Sequence, residues 1–374
     1  MASSWGEQLR ITLFGESHGK AIGVVLDHLP PGESVDLAKM QAFLDRRAPG
    51  RSPLSSQRRE GDTFSILSGL YQGKTTGTPL CIVMENRDAR SSDYEPEVTV
   101  PRPSHADFTG QVRYRGAADP RGGGHFSGRL TAPLAAAGAI CLQILGRKGV
   151  EIFTRIEELG GISDQELDTA NLDLEALRAL AGKELPVLAD DRRQEMIQAV
   201  KEAKSQGDSL GGVAQCVVVG LPPGLGDPIF GGVESRLASL LYGIPAVKGV
   251  SFGAGFAVSR HLGSQNNDSF YIDAQNRVRT RTNHDGGING GITNGMPLVF
   301  QVAIKPTPSI ALPQASVNLK TRLDEELVIK GRHDPAILPR AVVAIEAAAA
   351  IAITDLFLVA FGLQGWGGGE YDGA

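Results

Sequence analysis

The sequence predicts an α+β fold in which two antiparallel sheets enclose helices, each sheet supplied mainly by one half of an internally duplicated chain. Three observations predict it. Four landmarks recur in the same order, roughly 200 residues apart. Apolar strand-like runs are separated by Gly and Pro turns, and some alternate polar with apolar residues, which favours hairpins over parallel crossovers. Two Ala-rich helical stretches, 131–145 and 341–359, suit close packing against a flat surface.

The first landmark is Leu29-Pro30-Pro31-Gly32 after the strand-like Val24-Val25-Leu26, repeated as Leu221-Pro222-Pro223-Gly224 after Val217-Val218-Val219. A helical pattern follows each, with Leu37, Met40 and Leu44 in one copy and Leu237, Leu240 and Leu241 in the other. The second is G-x-T-x-G-x-P-L, at Gly73, Thr75, Gly77, Pro79 and Leu80 and at Gly291, Thr293, Gly295, Pro297 and Leu298, each leading into an apolar strand. The third is a basic, proline-containing loop: Arg102-Pro103-Ser104-His105, then Lys305-Pro306-Thr307-Pro308-Ser309. The fourth is a Gly/His/Arg loop ahead of an Ala-rich helix, at 121–129 and 330–340. The expected organisation is one domain with pseudo-repeat halves 1–149 and 207–374 and a polar, helix-rich insert at 150–206, where Asp190 caps a helix running to about Lys204. Loops at matching places in two related halves converge on one cleft. Those loops carry His105, His125, Arg129, Lys305, Arg332, His333 and Asp334, and loops held by a rigid scaffold are where function concentrates.

Composition limits the partners. A net charge of −5 and few aromatics interleaved with the basic residues count against a nucleic-acid binder. Arg46, Arg47, Arg51, Arg58 and Arg59 nonetheless crowd one stretch, which reads either as a solvated basic loop or as an anion site. Cys81, Cys141 and Cys216 lie apart in apolar runs, as core thiols of a reducing compartment do. The first ten residues lack an apolar signal region. The apolar run 341–361 is interrupted by Glu346 and Asp355, so it reads as a buried helix rather than a membrane span. A cytoplasmic protein with no membrane partner is expected.

Phe14-Gly15-Glu16-Ser17-His18-Gly19 contains G-x-S-x-G, the nucleophile elbow of serine hydrolases, and supplies a rival reading with Ser17 as nucleophile of an esterase. Too few residues precede it for the upstream strands of that fold, and a strand-like run follows it where a helix belongs. His18 is then the residue of interest. Arg47, Arg51, Arg102, Arg121, Arg129 and Arg332 all sit in Gly- or Pro-containing loops, and arginine binds carboxylate and phosphate bidentately without losing its proton. Brought together, they call for a ligand of matching negative charge, such as a small molecule bearing phosphate and carboxylates. A noncatalytic anion-binding protein meets the same requirement. His333-Asp334 and His284-Asp285 show no metal-ligand spacing, so no metal is expected. The glycines at 286–291 suit either tight turns or a phosphate cradle.

The motifs at 14–19, 57–60, 73–79, 102–107, 263–266, 305–307 and 330–335 together resemble the chorismate synthase family, in the family's order and over nearly the whole chain. The resemblance implies a β-α-β sandwich, a homotetramer, and a 1,4-anti elimination of phosphate from 5-enolpyruvylshikimate 3-phosphate that gives chorismate, the last step of the shikimate pathway. It implies reduced flavin mononucleotide (FMN) as cofactor with no net redox change. No additional nucleotide-binding module is evident in the sequence, so an external, NADP-linked reductant of the flavin is expected. The resemblance also implies the roles of single residues. His18 protonates the leaving phosphate, His105 protonates the reduced flavin, and Asp334 relays the substrate's proton near the flavin nitrogen. Arg47, Arg102, Arg129 and Arg332 bind the substrate's anionic groups. The flavin positions are His125, Phe126, Ser127, Pro245, Ala246, Gly290, Lys305, Pro306, Thr307, Pro308, Ser309 and Arg332, with Lys305 and Arg332 either on the flavin phosphate or balancing the anionic ring. Two departures stand out. His125-Phe126-Ser127-Gly128-Arg129-Leu130-Thr131 differs from the family pattern, and Pro53 occupies a position where the family has a substrate-binding arginine, a role that falls to Arg51 instead.

Overall fold

The structure, a computed structural model, describes residues 3–48, 61–86, 98–329 and 334–366. Ten strands form two five-stranded antiparallel sheets. The first contains β1 (Ser4–Trp5), β2 (Arg10–Gly15), β3 (Ala21–Asp27), β4 (Ser65–Ser68) and β5 (Leu80–Glu85), in the order β1-β2-β3-β5-β4. The second contains β6 (Glu151–Leu159), β7 (Ile162–Ser163), β8 (Gly212–Val219), β9 (Val247–Phe252) and β10 (Leu298–Ile304), in the order β7-β6-β8-β10-β9. The two orders agree except at one edge, where β1 precedes its neighbour β2 in the chain and β7 follows its neighbour β6. Each sheet has a central hairpin, then the strand that follows the G-x-T-x-G turn, then an outer strand.

The resemblance extends to single hydrogen bonds. Thr75 Oγ1 donates to Pro30 O (2.6 Å) and accepts from Glu33 N (2.9 Å), while Gly32 N donates to Thr75 O (2.7 Å) and Thr75 N to Glu33 O (2.9 Å). In the second half Thr293 Oγ1 donates to Pro222 O (2.7 Å) and accepts from Leu225 N (2.9 Å), while Gly224 N donates to Thr293 O (2.9 Å) and Thr293 N to Leu225 O (2.8 Å). In each half a buried threonine satisfies the backbone of a Pro-Pro-Gly turn that has no strand partner of its own.

The helices that matter to the site are α1 (Leu37–Arg47), α2 (Asp107–Arg113), α3 (Thr131–Arg147), α4 (Asp190–Ser205), α5 (Val233–Leu241) and α6 (Leu338–Trp366, kinked at Gly362). α3 packs on β2, β3 and β5, α6 packs on β6 and β8, and the two helices pack on each other. Their closest approach needs a glycine: a Cβ on Gly138 would lie 2.3 Å from the Cβ of Ala347. Within the apolar run 338–363, an 18-residue window is 94% buried inside the fold. Its two acids are satisfied there: Asp355 accepts the backbone N–H groups of Gln8 (2.8 Å) and Leu9 (2.9 Å), and Glu346 takes both ends of Arg46 (3.2 and 2.9 Å).

The structure departs from the sequence reading in four places. The stretch read as a helix-rich insert opens with β6 and β7, which belong to the second sheet, so the true interruption lies inside the hairpin β6–β8. Mixed burial along Glu151–Leu159 hid this strand behind its charged residues. Asp190 is the first residue of α4 and not its cap; Ala189 holds the cap position and makes no side-chain bond there. Leu37 opens α1 on the solvent side, while Asp36 caps that helix by accepting from Ala38 N and Lys39 N. The Ala-rich helices run longer than the Ala runs, because packing on the other helix continues past them.

Candidate active site

The turn between β2 and β3 carries Glu16, Ser17, His18 and Gly19. Ser17 N donates to Gly124 O (3.0 Å), and Asn86 Nδ2 donates to both Glu16 O and Gly19 O (3.0 Å each). The triple glycine lies directly on this turn, with φ of 59°, 87° and 52° at Gly122, Gly123 and Gly124, backbone that side-chain-bearing residues rarely adopt. A Cβ on Gly122 would lie 2.1 Å from Cε1 of His18, and one on Gly123 would lie 3.3 Å from Nε2 of His105. Gly122 and Gly123 thus pack against the two histidines, one each. The esterase reading fails on this geometry. Ser17 is buried in a strand–turn–strand hairpin, whereas a nucleophile elbow exposes its serine between strand and helix.

His105 Nδ1 lies 2.6 Å from Asp107 Oδ1, and Arg102 clamps the same carboxylate through Nε (2.7 Å) and NH2 (2.8 Å). Asp107 is buried, which alone would raise its pKa. The hydrogen bonds from Arg102 and His105 outweigh that and hold it well below the usual carboxylate range. The two basic, proline-containing loops meet here. Lys305 Nζ donates to Ser104 O, and Arg102 NH1 donates to Ser309 Oγ (3.4 Å). Lys305 N donates to Ala246 O (3.0 Å), which joins 245–246 to the same corner. Burial, then the charge of Lys248, lowers the Lys305 pKa. Thr307 Oγ1 is buried and has no hydrogen-bond partner among the described residues. A small open pocket of about 60 Å³ adjoins Asp107, walled by Val98, Gly110, Pro120, Gly123 and Phe126.

A second cluster holds Arg47, Arg129 and Asp334. Asp62, 2% exposed, accepts from Arg47 Nε (2.9 Å) and NH2 on Oδ2 and from Arg129 NH1 on Oδ1. Arg47 NH1 reaches Thr131 Oγ1 (3.2 Å). Burial, partly offset by Asp62, lowers the Arg47 pKa to about 10, and the nearby charges of Arg340 and Arg129 push the same way. Arg340 donates from NH1 to Asp334 Oδ2 (2.7 Å) and from Nε to Arg47 O (3.0 Å). Arg129 Nε reaches Asn86 Oδ1 (3.3 Å), which ties this cluster to the His18 turn. Leu210 N donates to Pro335 O (2.7 Å) and Ser209 Oγ to Thr307 O (2.8 Å), which ties it to the loop at 305. The contacts close a ring that joins the loops of both halves.

The structure therefore links His18, His105, Arg102, Arg129, Arg47, Asp334, Lys305 and Ser309 through contacts or short bonded chains. His125 is used structurally: Nδ1 donates to Gly15 O (2.9 Å), which leaves Nε2 to accept from Ser3 Oγ (2.8 Å). Phe126 packs on Tyr114, and Ser127 accepts from Arg129 N (3.3 Å). Gly290 stands apart, at the tip of the small hairpin Ile288–Asn289 and Ile292–Thr293. Arg51 and Arg332 lie outside the described residues, as does His333.

One physical premise is narrowed. Acids of the chain already offset part of the arginines' charge: Arg47 and Arg129 share Asp62, Arg102 has Asp107, and Arg121 has Asp119. Sequence reasoning missed Asp62, Asn86, Asp107 and Arg340. Asp107 and Arg340 lay inside quoted loops; Asn86 and Asp62 carry no spacing signal. Among the described residues no group of three His, Cys, Asp or Glu side chains is arranged to hold a metal ion.

Comparison with known proteins places this arrangement. A family model described as chorismate synthase matches residues 9–358. A chorismate synthase of Dehalococcoides mccartyi is 45% identical over 362 residues, which cover 96% of this chain and 97% of that one. One of Korarchaeum cryptofilum is 42% identical over 351 residues, 94% and 96% of the two chains. A crystal structure of a chorismate synthase superposes with a TM-score of 0.76 at 28% identity, and covers 96% of this chain and 94% of that one.

Proposed function

The chain belongs to the chorismate synthase family, and from that membership we propose the part each of its own residues plays in the reaction. The family's enzymes are lyases. They eliminate phosphate from 5-enolpyruvylshikimate 3-phosphate to give chorismate, with reduced FMN and no net redox change. The residues present fit that cofactor. Thr307 Oγ1 is a buried hydroxyl with no hydrogen-bond partner among the described residues, in a loop that also offers Lys305 and Ser309. Thr307, Pro306, Pro308, Ser309, Lys305, Pro245 and Ala246 would hold the flavin, with Arg332 completing the set. Bound reduced flavin supplies an electron-rich partner and a proton acceptor that no side chain of ordinary pKa provides.

The chain's residues do the rest. Arg47, Arg102 and Arg129, with Arg51 and Arg332, hold the substrate's phosphate and carboxylates. The Arg47–Asp62–Arg129 bridge supports this, because two guanidinium groups share one carboxylate and retain net positive charge. His18, packed under Gly122, donates a proton to the departing phosphate. His105 holds a proton on the cofactor side. Asp334, held by a hydrogen bond from Arg340, receives and passes on the substrate's proton. The observation that carries the reading is the closed ring of contacts through which loops of both halves bring these groups into one region.

We also read the layered packing of α3 and α6 on two sheets of closely similar strand order as a β-α-β sandwich built by duplication. A homotetramer is supported by apolar side chains that one copy leaves in solvent, Phe230 at 90% and Phe256 at 87% exposed. An external, NADP-linked reductant and a cytoplasmic location complete the proposal. The test is anaerobic. Protein, substrate and chemically reduced FMN are mixed and phosphate release is followed. Release is expected only with all three, and His18→Ala and Asp334→Asn should cut it by roughly 100-fold or more. Release without flavin, or both variants turning over at the parental rate, rejects the assignments. A noncatalytic anion binder would retain the ligand and release nothing.

A further inference from the structure

We propose that Asp107 is a positioning residue for His105. It fixes the imidazole as the tautomer with hydrogen on Nδ1, so that Nε2, on the Gly123 side, is the nitrogen that exchanges a proton. Asp107 accepts from Arg102 N (3.0 Å), Arg102 Nε (2.7 Å), Arg102 NH2 (2.8 Å) and His105 Nδ1 (2.6 Å). Its side chain is only 6% exposed. A carboxylate that receives three N–H groups from a guanidinium and its own backbone remains ionised, and has no hydrogen to give the ring. The hydrogen between Asp107 and His105 therefore belongs to Nδ1. Arg102 NH2 lies 3.1 Å from Nδ1 but carries only donors, so its hydrogen goes to Oδ1 and its charge merely stands beside the ring.

The other ring nitrogen is left accessible by design of the backbone. A side chain at position 123 would press on Cε1 and Nε2 at 3.3 Å, and Gly123 has φ of 87°. The charges around His105 then decide its proton affinity. Arg102 stands on one side, Lys305 holds the carbonyl of the preceding residue, and His18 lies behind Gly122. Asp119 on the loop ahead of the glycines acts mainly on Arg121, by which it is hydrogen-bonded. Asp107 is the one acid bonded to the ring, so without it the imidazolium would face two cations.

The proposal rests on the reading of His105 as the proton donor on the cofactor side. Its test is separable from that reading. Histidine-selective ¹⁵N NMR on the ligand-free protein, with His105 assigned by His105→Gln, reports which ring nitrogen carries hydrogen and the ring's titration midpoint. Wild-type protein should show a protonated Nδ1 and an Nε2 of the unprotonated type. In Asp107→Asn the midpoint should fall by about one pH unit or more. With substrate and reduced FMN, Asp107→Asn should lose roughly 10- to 100-fold in kcat. A hydrogen on Nε2 in the neutral wild-type ring overturns the proposal, and needs no variant to fold. So does an unshifted midpoint in Asp107→Asn. Parental turnover by His105→Gln would instead reject the catalytic reading of His105, while the nitrogen shifts would still decide the role of Asp107.

Discussion

The two halves of the molecule share a scaffold and divide the chemistry unequally. Both sheets share a strand order in all but one edge strand, both turns after the Pro-Pro-Gly segment hang on one threonine, and both Ala-rich helices meet at Gly138 and Ala347. The first half adds the two histidines, the triple glycine and the ion pairs on Asp62 and Asp107. The second half adds the loop Lys305 to Ser309, with its unpartnered Thr307 hydroxyl, and the Asp334–Arg340 pair. Its own fully buried ion pair, Arg155 with Asp164, sits away from this ring: Arg155 reaches Asp164 (2.7 Å), Gln165 O (2.8 Å) and Gln215 (2.8 Å), and Asp164 accepts from Leu188 N (2.7 Å). A repeated scaffold thus fixes where loops go, while the loops themselves decide what is done there.

The two buried ion pairs offer the sharpest way to break this contrast. Asp62→Ala leaves Arg47 and Arg129 side by side without their shared anion, and Asp164→Ala leaves Arg155 buried without its partner. Each should cost about 3–5 kcal/mol, read as a lower denaturation midpoint. Only Asp62→Ala should also abolish turnover in the fraction that remains folded. Equal loss of specific activity in both variants would show that the Arg47–Asp62–Arg129 bridge is ordinary structural support. Next in size is Gly138→Ala. The added methyl must push α3 and α6 apart, which should cost about 1–3 kcal/mol through overpacking. Because both halves meet there, activity should fall with stability; a neutral result would mean that the interface between the helices is looser than its geometry implies.

The sequence made the scaffold legible because matching turn motifs recur in both halves of the chain. A Pro-Pro-Gly turn, a G-x-T-x-G loop and an Ala-rich helix each need particular residue types at fixed places, so each leaves a mark. β6 left none: Glu151, Arg155, Glu157 and Glu158 disguise a strand whose charges are used in ion pairs and at an edge. The site was half legible. His18, His105 and Arg129 were visible because glycine surrounds them. Asp62 and Asn86 were not, because their partners are 15 to 70 residues distant in the chain and pair by chain folding alone. The neutralising acids were the larger omission. An arginine-rich loop announces a need for negative charge, but not whether a ligand or the protein's own aspartate meets it.

The smallest expected effect is the most direct test of the shared scaffold. Thr75 and Thr293 are both buried, and each makes the same pair of side-chain hydrogen bonds, one given to a proline carbonyl and one taken from the backbone two residues beyond the second proline. Valine has the same shape and neither bond. Thr75→Val and Thr293→Val should therefore each lose about 1–3 kcal/mol, since a buried carbonyl and a buried N–H are left unsatisfied in both. The two losses should agree within about 0.5 kcal/mol, and the double variant should show their sum, because the turns lie in different sheets and share no partner. Turnover at temperatures well below melting should be unchanged in both. A loss at one threonine and none at the other would mean that one turn is held by packing instead, and that the matched hydrogen bonds record common form without common energetics.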